Sequence, residues 1–194
     1  GDIVQKTNLN RQILYSIKDI GKHKVMIAKK KLNNVNPECK IEIVSSYLEL
    51  RNINKYLNNS SLIIDATDNW ESMILINKYC VQKSIPLVSS SVVGFDSQIT
   101  LFKNFPNKHL CLQCIFPNNT EVDLARCDSV GVAGTAAGIA GLIVAQKTMN
   151  FFLEKKLENL MTMVNVKSLK IDNLKIKKNI NCHFIKKNNQ TEKK

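Results

Sequence analysis

Leu62-Ile63-Ile64-Asp65-Ala66-Thr67-Asp68-Asn69 is an apolar run that stops abruptly in two carboxylates, a hydroxyl and an amide. Such a run, bounded by polar turn formers, predicts a buried strand that delivers polar groups to its carboxyl end. In open α/β sheets that edge borders the ligand crevice, because loops leaving the strand ends line it. The same residues also describe a plain strand-to-helix turn, with Asp68 or Asn69 capping a helix over Trp70–Lys83. The two readings differ in whether these side chains serve a ligand or the backbone.

Working outward, the upstream chain supplies alternating signals. Gly1–Val4 reads as the tail of a strand that leaves through Gln5-Lys6-Thr7. Ser16 to Asn36 carries Ile20, Val25, Ala28, Leu32 and Val35 at helical spacing and is stopped by Pro37. Lys40–Tyr47 alternates Ile41, Ile43, Ser45 and Tyr47 as a half-buried strand does, and a short helix is expected over Glu49–Leu57. Downstream come a helix over Trp70–Lys83 and strands over Pro86–Val92 and Gln98–Lys103. Asn104 to Ser129 then breaks the pattern as a long polar connection that contains Cys111, Cys114 and Cys127, and such loops are uncommon unless they work. A helix over Val130–Leu153 and strands over Leu160–Val166 and Leu169–Ile176 follow, and the charged tail Lys186–Lys194 is predicted to be disordered. Strands alternating with helices predict one α/β domain, three-layered, with a mainly parallel sheet and antiparallel C-terminal strands.

The chain has 194 residues, 44% of them hydrophobic, enough for one sizeable core. Its 28 Lys+Arg against 16 Asp+Glu give a formal charge of +12, which invites a polyanionic partner. The lysines are nevertheless spread among Asn and Ile, without the aromatic and basic interleaving of single-strand binders, so nucleic acid is not expected as a partner. Six cysteines without a signal-peptide pattern predict a reducing, cytoplasmic setting and thiols used for metal or catalysis. Val130–Val144 falls short of the roughly 20 residues that a bilayer span needs. Its Gly134, Gly138 and Gly141 are read as close packing in a soluble core rather than a transmembrane dimer motif.

Three clusters carry chemistry. Cys111-Leu112-Gln113-Cys114 can hold half of a tetrahedral zinc site or run dithiol redox chemistry. Its late partner is Cys182, followed by His183, with Ile185 standing where a second paired cysteine would be. Cys127, beside Arg126 and ahead of a Gly-rich helix start, is a nucleophile candidate or a plain surface thiol. Asn8, Arg11 and Lys24 place an amide and two cations in one early loop-helix unit. With Asp68 as a Mg2+ ligand, that set would suit a nucleoside triphosphate attacked at its α-phosphate.

Asp2-Ile3-Val4, Asn8-Leu9-Asn10-Arg11-Gln12, Gly21-Lys22-His23-Lys24, Asn36-Pro37, Asp65-Ala66-Thr67-Asp68-Asn69, Pro86-Leu87-Val88, Gln98-Ile99-Thr100, the Cys111–Cys114 pair and the Cys127 to Gly131 segment occur in this order. Together they resemble the ThiF/MoeB adenylyltransferases, relatives of ubiquitin-activating enzymes, over nearly the whole chain. Ser91-Val92-Val93-Gly94-Phe95 and the 117–121 segment look more like the ThiF branch. The resemblance implies a Rossmann-like homodimer that uses ATP and Mg2+, with zinc on Cys111, Cys114 and Cys182. It implies adenylation of the C-terminal glycine of a small β-grasp sulfur carrier, ThiS-like, for thiamine thiazole synthesis. A cysteine desulfurase or rhodanese-type protein would be the sulfur donor. Asn8, Arg11, Gln12, Lys24, Asp68 and Asn69 would contact the nucleotide. Lys24 would neutralise the α-phosphate, Asp68 would hold Mg2+, and Cys127 would capture the activated carrier. MoeB-like activation of the molybdopterin-synthase carrier and a non-catalytic carrier-binding remnant are the alternatives. The family's opening strand, GxGGxG turn and helix do not precede Gly1, so residues 1–185 are read as an N-terminally truncated domain.

Overall fold

A computed structural model describes residues 1–104, 110–117, 131–153, 159–179 and 182. The chain divides into two compact units, one of Gly1–Asn52 and one beginning at Ile53.

In the first unit the expected strand tail is reduced to a single antiparallel bridge between Ile3 and His23. Val4 donates to Lys22 O at 2.9 Å and accepts from Gly21 N at 2.9 Å, which leaves its side chain fully buried. The helix expected from Ser16 to Asn36 is split. Ser16 and Asp19 form a capping box around a 3-10 turn at Ile17–Asp19, and Gly21 at φ +84° turns the chain. Helix α1 therefore begins at Lys24 and runs to Val35, ahead of Asn36-Pro37. The expected strand at Lys40–Tyr47 does not form. Its alternation is real, with Ile41 and Ile43 half-buried, but a strand exists only through a partner, and no described strand forms a ladder with it.

The second unit opens with α2 (Ile53–Leu57), four residues shorter than expected at its start. Strand β1 (Ile63–Asp65) is followed by α3 (Trp70–Lys83), as the sequence predicts. Asn69 caps α3 by accepting from Ser72 N at 2.8 Å, and Ser84 ends it in the left-handed region. Strands β2 (Leu87–Val93) and β3 (Asp96–Phe102) form a hairpin across Gly94-Phe95, with Gly94 at φ +58°. The one-turn α4 (Leu112–Ile115), helix α5 (Gly134–Leu153) and strands β4 (Leu160–Asn165) and β5 (Lys170–Lys175) complete the unit.

The described sheet has the order β1-β2-β3-β4-β5. The α/β class and the antiparallel C-terminal strands are as expected. The sheet is mixed rather than mainly parallel: β1 and β2 pair in parallel through the α3 crossover, and the three later pairings are antiparallel. Val88, Ile99 and Leu101 meet Ala140 of α5 in the core, with Val92, Ile143, Val144 and Phe151 packed around them. Leu87 and Phe102 are register partners and by alternation turn to the other face of the sheet.

Candidate functional site

The β1 end separates its polar groups by role. Asp65 is 1% exposed, and its Oδ1 accepts from Thr67 N at 3.0 Å and from Thr67 Oγ1 at 2.7 Å. This Asx turn fixes the loop that follows. Burial pushes the Asp65 carboxyl above its ordinary range, and its Oδ2 has no partner among the described residues. Cys80 on α3 is pushed up to about 12 by burial, with the Asp65 charge adding to it. Asn69 performs the capping role that the sequence left open between it and Asp68. Asp68 is exposed and forms no hydrogen bond or ion pair among the described residues. It therefore stands free between the end of β1 and the first turn of α3.

The first unit holds the other expected nucleotide contacts. Asn8 is buried at the end of a 3-10 turn, and its Oδ1 accepts from Gln5 N at 3.0 Å. The backbone carbonyl of Asn8 accepts from Arg11 N at 3.2 Å and from Gln12 N at 2.9 Å. Arg11 Nη1 donates to Thr7 O at 3.2 Å and to Asn10 Oδ1 at 2.9 Å, so one edge of the guanidinium is fixed. Gln12 Oε1 is buried and accepts no hydrogen bond from a described residue. Lys24 Nζ pairs with the Asp2 carboxylate, which that bond holds below its ordinary range. Asp2, 22 positions before Lys24 in the chain, is a partner that the sequence pattern does not assign.

The structure brings the three late thiols together. The Sγ atoms of Cys111, Cys114 and Cys182 lie within 4.8 Å of one another, and Cys111 and Cys182 are 3.6 Å apart. An ion held at about 2.3 Å from tetrahedrally arranged thiolates sets their sulfurs about 3.8 Å apart, so the cluster fits zinc. All three cysteines are buried, so Cys111 and Cys114 are interior residues of a connection that reads as polar in the sequence. The turn is built by Cys114 N donating to Cys111 O at 2.8 Å. The hydrogen bond from Cys111 holds the Cys114 thiol well below the usual range, and the same contact, with burial, pushes Cys111 up. Leu112 N donates to Asn77 Oδ1 at 3.0 Å, and the Trp70 and Phe116 rings meet edge to face at 5.8 Å. Asn77 was legible as an amide among the apolar residues of the inward face of α3, beside Met73, Ile76 and Cys80. Cys127 and His183 lie outside the described residues.

Comparison with known proteins gives a consistent result. The chain is 32% identical over 193 residues to a probable molybdopterin-synthase adenylyltransferase of Gracilaria tenuistipitata var. liui, covering 97% of this chain and 54% of that protein. It is 30% identical over 144 residues to the sulfur carrier protein ThiS adenylyltransferase of Escherichia coli, covering 74% of this chain and 57% of that protein. It thus spans about half the length of the curated relatives it matches. Crystalline E. coli MccB with ATP has the same fold, with a TM-score of 0.77 at 19% identity, covering 95% of this chain and 57% of that one. The ThiF family profile matches residues 1–184, and the chain belongs to the ThiF family.

Proposed function

We propose that this chain carries out the chemistry of an ATP-dependent adenylyltransferase that activates the C-terminal glycine of a small sulfur-carrier protein. One glycine carboxylate oxygen forms a bond to the α-phosphorus, and the bond from that phosphorus to the bridging oxygen breaks with release of pyrophosphate. The observation that carries the reading is the division of labour at Asp65–Asn69, where Asp65 and Asn69 build the turn and leave the Asp68 carboxylate free. Bound Mg2+ would supply positive charge to the phosphates, and Asp68 would hold it. Lys24 and Arg11 would supply positioned charge where it develops in nucleotidyl transfer. The Cys127 thiolate would take up the activated carrier by bonding to the glycine carbonyl carbon, with AMP as the leaving group.

The thiols Cys111, Cys114 and Cys182 would supply three of the four ligands of a structural zinc ion. Self-association is part of the same reading, supported by the open apolar face of α5, where Leu142 is 74% and Phe152 60% exposed.

The carrier we favour is ThiS-like, on the strength of Ser91–Phe95 and the 117–121 segment. The molybdopterin-synthase carrier is the second reading, favoured by the 97% coverage of this chain in the Gracilaria relative. The test is exchange of labelled pyrophosphate into ATP by the full-length protein. Exchange is expected only with a carrier ending in Gly-Gly, and presenting the two carriers separately decides between them. Absence of carrier-dependent exchange with both would overturn the proposal.

A further inference from the structure

Asn77 sits on the inward face of α3 with none of its surface exposed. A buried carboxamide is unfavourable unless both of its ends find partners. Its oxygen is satisfied by Leu112 N–H at 3.0 Å. Leu112 follows Cys111 and opens α4, so this bond takes up a first-turn donor of that helix and fastens the Cys111–Cys114 turn to α3. The other end is different: Nδ2 carries two hydrogens, and no described residue accepts them. This donor belongs to the side chain that holds the peptide between Cys111 and Leu112, and three buried sulfurs converge on that turn.

Neutral thiols are weak acceptors. Three thiolates around a divalent cation carry a net negative charge in a buried setting, and their sulfurs need donors. Outer-shell hydrogen bonds of this kind orient the ligands of a metal and set its affinity. We infer that Asn77 is a positioning residue of the metal-binding thiol cluster: its oxygen holds the Cys111–Cys114 turn, and its NH2 group donates to a cluster sulfur once the thiols are deprotonated around a metal. The inference rests on the metal reading of the cluster. It also ties that cluster, through Asn77, to the helix whose first turn is capped by Asn69 beside Asp68.

Two variants separate the two ends of the amide. Asn77→Asp keeps an oxygen for Leu112 N–H and replaces the donor with a second acceptor. Asn77→Leu removes both. The purified protein is titrated with Co2+ against a chelator, reading the thiolate-to-cobalt charge-transfer absorption, and circular dichroism of the metal-free proteins checks folding. Both variants are expected to bind about 10 to 100-fold more weakly than the parent, with a shifted charge-transfer band. In the unsubstituted protein the Asn77 side-chain NH2 resonances are expected to move on zinc addition.

Parental affinity and an unshifted band in Asn77→Asp would overturn the role of the donor whatever Asn77→Leu does, as would NH2 resonances that stay in place. An unsubstituted protein that gives no thiolate-to-cobalt band would overturn the metal reading itself, and the inference with it. Where Asn77→Leu does not fold, Asn77→Asp and the resonance measurement decide.

Discussion

Asp65 and Asn69 show how much of the loop after β1 is given over to its own construction. Asp65 gives one oxygen to Thr67 and buries the other, and burial raises its pKa above the ordinary value of 3.8. A carboxyl raised on folding contributes stability that is complete below its unfolded value and lost as pH rises through the folded one. Asp65→Asn keeps the acceptor for Thr67 without the ionisation. It is therefore expected to be more stable than the parent at pH 7 and equal to it near pH 3, read as denaturant midpoints. A parent that is the more stable at pH 7 would show that the charge has a partner. At the helix start, Asn69→Ala removes the bond to Ser72 N and should cost about 1 kcal/mol, whereas Asp68→Ala should change stability by under about 0.5 kcal/mol and abolish carrier-dependent exchange. Equal stability losses would mean that Asp68 is structural after all. The sequence showed these residues as one polar cluster and left the cap open between Asp68 and Asn69. Propensity is nearly the same for both, and only the direction of the turn assigns the work.

Elements whose signals are local were legible in the sequence, and those that depend on distant partners were not. Helix α3 matches its expected bounds because an Asx cap opens it and an apolar face runs along it. The 40–47 segment alternates like a strand without being one, since a ladder requires a second strand that alternation cannot supply. The 16–36 helix is shortened by Gly21, whose left-handed conformation outweighs the helical spacing around it. What holds that break is Asp19, which accepts from Ser16 N and Oγ at 2.9 and 2.7 Å and pairs with Lys31 Nζ of α1 at 2.9 Å. These partners, Ser16 first and Lys31 next, lower its pKa to about 2. A carboxyl lowered on folding contributes stability that is present above its ordinary value and lost as pH falls through the folded one. The stability difference between the parent and Asp19→Asn should therefore be constant above about pH 5 and be largely lost by about pH 2. A difference that persists at pH 2 would place the stabilisation elsewhere.

For the whole molecule, the glycines of α5 mean something other than their spacing suggests. A Cβ at Gly138 or Gly141 would meet nothing within 4 Å, so these residues do not serve close packing against the described chain. The core contacts of the helix come instead from Ala136, Ala140, Ile143, Val144 and Phe151. The opposite face carries Gly138, Gly141, Leu142, Met149 and Phe152 and stays open, with Leu142 74% and Phe152 60% exposed. An apolar stripe of this length on a chain with a formal charge of +12 is the kind of surface that association covers. If a second copy covers it, the glycines let two helices approach, and Gly141→Ala becomes a discriminating change. Within one chain the substitution has space and gains about 0.5–1 kcal/mol of helix propensity, so thermal stability measured at low concentration should rise. Between chains the added methyl keeps the helices apart, so the dimer should weaken in sedimentation equilibrium, and Leu142→Lys should dissociate it without unfolding the monomer. A parent that sediments as a monomer at all concentrations, or a dimer indifferent to both changes, would remove this face from the assembly.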